Sequence, residues 1–338
     1  MRLAKPLLLA STILAASSLA ARADVNVVAS IKPVHSLVAA VMQGVGTPGL
    51  IVKGAGSPHT YALKPSQARM LEKADVVFWI GHELEAFLEK PVETIAANAK
   101  SVELIDAHDL VKLDFREGGA FDRHGHDDHY DQDAHAREAD HDDHEGTAEA
   151  EHDHDHDGED HNAHGAFDAH VWLDPVNAKA MIHEIEEALA AADPENADKY
   201  VANAEIVMKE LDALVAEVSA DLEPVRSKGF IVLHNAYQYF ENRFGVTAAG
   251  SITVSPEVMP GAERVSEIRA KVQELGAACV FAEPQFEPKL VSTVTEGTSA
   301  KSGVLDPLGS ALSAGPELYS DLIRNMAASI KSCLAEAS

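Results

Sequence analysis

The sequence predicts an α/β protein made of two similar α/β lobes with parallel-type sheets, joined by one long rigid helix. Three observations carry that expectation. Short apolar, β-branched runs alternate with helical patterns from residue 25 to about 104. The same alternation resumes after Pro224. Between the two, apolar residues keep a 3.6-residue period with nothing to break it before Pro224. In open α/β sheets ligands sit beyond the carboxyl ends of the strands, so two lobes on one strut predict a cleft between them.

The first 23 residues stand outside this fold. They contain no acid, carry Arg2 and Lys5 ahead of an apolar run from Pro6 to about Ala20, and end Ala21-Arg22-Ala23. That is the pattern of a cleaved secretory signal. The run is shorter than the ~20 residues that span a bilayer. A mature chain starting near Asp24 and exported to the periplasm is expected.

The N-terminal lobe is placed at residues 24–193. Val25–Ser30 reads as a buried strand, and Pro33, Val34, Leu37, Val38 and Val41 sit at helical spacing. Gly49–Val52 reads as a strand, 65–73 as a helix opening on a proline, and Val76–Ile80 as a strand. A helix from about Glu83 and a strand at Ser101–Leu104 follow, then, after an insert, a helix behind Pro175. The strut is placed at 194–223. Asp193-Pro194-Glu195 offers an N-cap, a proline and an acid for its first turn. About 29 residues at 1.5 Å each span roughly 43 Å. The C-terminal lobe is placed at 224–338, with strands at Phe230–Leu233, Val246–Ile252, Ala278–Ala282 and one ending at Leu305. Its helices are expected at Tyr237–Phe244, 261–275, Pro288–Thr295 and from about Pro316.

The charge is local. The chain has 27 basic and 55 acidic residues, a formal −28, which excludes nucleic acid and anionic membrane surfaces as partners. Residues 117–168 hold 19 of the acids, two bases and 11 of the 18 histidines. The stretch 117–166 lacks apolar periodicity, so it cannot offset its ordering entropy and is expected to be disordered without metal. His124, His126, His129, His141, His144, His152, His154, His156, His161 and His164 are candidate auxiliary metal ligands in it. A plain solvated linker is the alternative. A flexible chain of that length spans about 40 Å. It therefore reaches the cleft and raises the local metal concentration there.

Seven histidines lie outside that insert. His59 occupies a Gly/Pro-rich loop, His170 lies between the insert and a helix, and His234 follows the strand FIVL. Asp306 ends the strand VLD, in LDPLG. Two of these four precede the strut and two follow it. Three imidazoles and a carboxylate suit four-coordinate Zn²⁺, which would put a metal site in the interlobe cleft. His35, His108 and His183 read as surface or helix-cap residues. His82-Glu83 lacks a second histidine four positions on, so a zincin helix is excluded. Cys279 and Cys333 are the only cysteines. Export favours a disulfide between them, with two buried thiols as the alternative.

Several stretches together resemble one family. They are VVASIKPVHSLVAAVM, GSPHTYALKPSQARMLEKADVVFWIGHELE, the acidic His-rich insert, AHVWLDP, LHNAYQYFENRFGV, FAEPQF and LDPLG. They are similar to the periplasmic solute-binding proteins that deliver zinc or manganese to ABC importers, specifically the ZnuA-type zinc-binding proteins. The resemblance implies His59, His170 and His234 as metal ligands, with Asp306 as the fourth. It also implies a Cys279–Cys333 disulfide. Manganese-type members carry Glu where this chain has His234, so zinc is the implied cargo. An ABC permease is the implied partner, with a periplasmic zinc chaperone as a further one, and the chain is expected to be a monomer and not an enzyme. The competing readings are a manganese-binding homologue and a zinc hydrolase.

Overall fold

The computed structural model describes residues 25–116, 121, 167–253, 261–274, 278–287 and 289–335. The expected signal peptide and the ten candidate histidines of the insert lie outside the described residues.

The first lobe contains β1 (Val27–Ala29), α1 (Lys32–Val41), β2 (Gly49–Leu50), α2 (Pro65–Glu72), β3 (Val76–Trp79), α3 (Ala86–Thr94) and β4 (Lys100–Glu103). Two long helices follow, α4 (Pro175–Ala192) and α5 (Ala197–Leu222). The second lobe contains β5 (Phe230–His234), α6 (Gln238–Phe244), β6 (Ala248–Thr253), α7 (Ala262–Glu274), β7 (Cys279–Ala282), α8 (Lys289–Thr295), β8 (Lys301–Val304) and α9 (Leu318–Ala335). The sheet orders are β2-β1-β3-β4 and β6-β5-β7-β8, which is one topology used twice, and every pairing between these strands is parallel. The central strands β1, β3, β5 and β7 are buried along their whole length, as parallel strands covered on both faces must be.

Local chemistry sets the boundaries. Asp174 accepts a bond from the Val176 amide at 2.8 Å and Pro175 opens α4, a regular N-cap. Gly245, at φ 69°, ends α6 in the left-handed conformation that a Cβ disfavours. The helix expected from Glu83 starts later. Residues 81–85 form a tight turn in which the Glu85 carboxylate accepts from the Ile80 and Gly81 amides. The strut also starts differently from expectation. Asp193 does not cap it but accepts from Asn196 Nδ2 and the Tyr200 hydroxyl, and a short 3₁₀ turn at Pro194–Asn196 leads into α5.

The strut is packed on both sides, against α1 and α4 of the first lobe and α9 of the second. Its buried face is Tyr200, Ala204, Leu211, Leu214, Val218 and Leu222. One apolar core runs from β1 through α5 to α9, and Phe230 and Val232 of β5 point into it. The alternate β5 residues, Ile231 and Leu233, join a smaller cluster with Ile268, Val272 and Val294 on the other face of the second sheet.

Polar bonds also cross between the lobes. The buried Lys32 ammonium donates to the carbonyls of Gly309, Ser310 and Leu312 at 2.7–2.9 Å. Trp172 Nε1 donates to Pro307 O, and Tyr319 OH donates to Trp172 O. Cys279 and Cys333 are joined, tying the start of β7 to the end of α9. Among the described residues no helix is long and apolar enough to cross a membrane.

Candidate metal centre

Each of the three loop histidines is set by a different local device. His59 sits in a 3₁₀ turn, Pro58–Thr60, whose proline fixes φ at the first position. That loop is anchored from α2, where Gln67 Nε2 donates to Ile51 O and to the Tyr61 hydroxyl. His170 precedes the buried 3₁₀ turn Val171–Leu173. Asp168 Oδ1 accepts from both the His170 amide at 3.0 Å and His170 Nδ1 at 2.7 Å. His234 is the last residue of β5, and its Nδ1 lies 2.6 Å from Glu283 Oε1, just beyond the end of β7.

These devices bring the three rings into one cluster. Ring centroids are 5.4 Å apart for His59–His170, 6.0 Å for His59–His234 and 5.2 Å for His170–His234. Each offers a nitrogen, and the three nitrogens lie within 4.8 Å of one another. His170 Nε2 and His234 Nε2 are 3.3 Å apart. A carboxylate only accepts, so the Nδ1 atoms of His170 and His234 carry the protons and their Nε2 lone pairs face the shared space. This is the carboxylate–imidazole arrangement that orients metal-ligating histidines.

The space is small. The cavity has a volume of about 10 Å³, about one water-sized sphere, and Pro58, Trp172, Phe286 and Leu308 form much of its wall. His170 and His234 are buried and His59 is half-buried. The Tyr237 ring packs 6.3 Å from His234. Burial holds its hydroxyl well above the usual tyrosine range, and the nearby Glu283 carboxylate adds to the effect.

The structure thus brings His59, His170 and His234 together. Asp306 is not in that group. Its carboxylate accepts from Gln285 Nε2, the Leu308 amide, the Ser310 amide and the Ser310 hydroxyl, at 2.6–3.2 Å, and so closes the turn after β8. Of the remaining histidines, His82, His108 and His183 are exposed beside acids. His35 corrects the expectation of a surface role. It is buried in α1 with Nε2 3.1 Å from Pro48 O. Sequence reasoning missed Asp168 and Glu283 as partners of the imidazoles. Both lie in or beside the resemblance-bearing stretches, in FDAH and FAEPQF; Glu283 has no spacing signature for an imidazole 49 residues away, whereas the Asp-x-His spacing of Asp168 and His170 was the signal that could have found the other.

Residues 27–333 match the family described as the periplasmic zinc-uptake complex component A, ZnuA. A high-affinity zinc uptake system protein ZnuA from Brucella suis is 53% identical over 333 residues, 98% of each chain. One from Yersinia pestis is 36% identical over 92% of each. A crystal structure of ZnuA superposes with a TM-score of 0.72 at 23% identity, covering 92% of this chain and all of that one, a likeness of fold. The chain belongs to the ZnuA family of periplasmic zinc-uptake components.

Proposed function

We propose that this protein is a solute-binding protein that captures Zn²⁺ in the periplasm and delivers it to the membrane permease of an ABC importer. The observation that carries the reading is the convergence of three imidazole nitrogens within 4.8 Å in a cavity about the size of one water. Nitrogen donors suit zinc, and a histidine at 234 in place of a carboxylate disfavours manganese. The tight site is His59, His170 and His234. Water rather than Asp306 is the better fourth ligand, because four hydrogen bonds already hold that carboxylate. The same reading covers the finer expectations. The signal at 1–23 is removed, the lobes divide at the strut 194–223, and the chain acts as a monomer. The histidines of 117–166 collect zinc and pass it to the cleft, and a periplasmic chaperone supplies it.

Hydrolysis has less support. A zinc hydrolase needs a general base beside the metal-bound water. The carboxylates next to the histidines, Asp168 and Glu283, are occupied by imidazole Nδ1. The test is zinc titration of the mature protein against a competing chelator, with His59→Ala, His170→Ala and His234→Ala alongside. Tight binding by the parent, weakened in all three variants, is expected. Unchanged affinity in two of the three would reject the ligand set. Deleting 117–166 should lower the number of zinc ions bound and leave one tight site. Loss of that site would reject the division of labour.

A further inference from the structure

The two carboxylates behind the histidines are unusual in their neutralisation. Asp168 is 1% exposed and Glu283 3% exposed. Among the described residues neither forms an ion pair with a lysine or arginine; their ion-pair-distance neighbours are His170 and His234. Asp168 Oδ2 is buried with no hydrogen-bond partner at all. One carboxylate comes from each lobe, and each faces one of the two buried histidines of the cluster. Burying a charge without a partner of opposite sign is costly, and the cost is relieved when a cation arrives.

We propose that Asp168 and Glu283 act as a charge filter, making the three-histidine cavity favour a doubly charged cation over a singly charged one of similar softness. The inference rests on the reading of His59, His170 and His234 as the ligands. Orientation of the imidazoles by these acids serves any cation equally. Their charge does not, because a Coulomb interaction is proportional to the charge of the ion. Removing one negative charge therefore lowers the affinity for a dication by twice as many powers of ten as for a monocation. Three neutral imidazoles with no carboxylate behind them would lack this discrimination. Neither residue is a ligand; each is a positioning residue whose charge also reaches the metal.

The experiment uses the mature full-length chain with Glu283→Gln and Asp168→Asn, made singly. Each variant keeps an oxygen that accepts from Nδ1 and removes one charge. Zn²⁺ and Ag⁺ are titrated separately at pH 8 in chloride-free buffer, and the metal-free melting temperature is measured. Zinc affinity is expected to fall about 10- to 100-fold, the range for such outer partners. Silver affinity should then fall only about 3- to 10-fold, half as far on a logarithmic scale. The metal-free melting temperature should hold or rise, since a buried charge has been removed. Three results would overturn the proposal. They are unchanged zinc affinity in both variants, equal fold losses for zinc and silver, or a lowered metal-free melting temperature in both, which marks the acids as merely structural. Failure of the underlying ligand assignment is distinguishable, since it appears as tight zinc binding retained by the histidine variants themselves.

Discussion

The two sheets share one strand order but use it differently. In the register of the central strands Ala29 faces Phe78, and Val232 faces Phe281. Two residues beyond, the first lobe has Ile31 and Ile80, both fully buried, where the second has His234 and Glu283. The same switch point of a parallel sheet is thus apolar in one lobe and, in the other, a histidine of the candidate metal centre with the carboxylate that holds it. Each lobe also buries an acid near this place. Glu85 accepts backbone amides of Ile80 and Gly81 and has no imidazole, whereas Glu283 takes His234. Topology supplies the place, and residue identity decides whether it is a site. The first lobe instead contributes its candidate ligands from turns, His59 after β2 and His170 before α4.

That contrast can be broken at the ligands first. His234→Ala removes a proposed ligand held at a strand end and should lower zinc affinity by roughly three orders of magnitude or more. His59→Ala, on a half-buried turn, should cost less. Chelator competition on the two variants measures the difference, and equal losses would say that the strand confers no advantage.

Importing the acid of the second lobe into the first is the next largest effect. Ile80→Glu places a carboxylate in a fully buried apolar position without a partner. A loss of about 3–5 kcal/mol in urea unfolding is expected.

The disulfide tests whether the second lobe's site depends on the far end of its sheet. Cys279 opens β7, and Glu283 follows its last residue. Replacing both cysteines by alanine should cost about 2–4 kcal/mol of stability. Zinc affinity should stay within about threefold, because the site is at the opposite end of the strand. A large affinity loss would show that β7 is positioned by the covalent link.

Glu85 sharpens the comparison through pH. Burial raises its carboxyl from 4.5 to about 7 in the folded protein. Because the folded value lies above the unfolded one, the native state holds the proton more tightly. The associated stability is present below about pH 4.5 and is lost as the pH rises to about 7. Glu85→Gln should remove this loss, so the variant gains up to about 3 kcal/mol relative to the parent between pH 5 and pH 8. Parallel stability–pH curves would refute it.

Much of this architecture was legible in the residues. The apolar β-branched runs marked the central strands β1, β3, β5 and β7, because parallel strands buried on both faces must be nearly continuous in hydrophobic residues. The strut was legible from Tyr200, Ala204, Leu211 and Leu214, whose period has one solution. The three histidines were legible from loop context and from the family resemblance. Asp193 was misread as a cap, since a capping sequence does not reveal that Tyr200 and Asn196 compete for the same carboxylate.

The sequence by itself indicated the fold class, the strut, the disulfide pair and the three histidines of the candidate metal centre. These follow from periodicity, from residue chemistry and from motifs that are local along the chain. Only the tertiary structure decided that Asp306 closes its own turn with Ser310 and that Asp168 and Glu283 stand behind His170 and His234. It alone showed Lys32 fastening one lobe to the carbonyls of the other. The Glu283–His234 and Lys32–Leu312 contacts join residues 49 and 280 apart, and even the local pairs Asp168–His170 and Asp306–Ser310 depend on which of several side chains reaches a shared acceptor. No local pattern encodes that outcome, because it is set by packing distances that exist only once both lobes are folded.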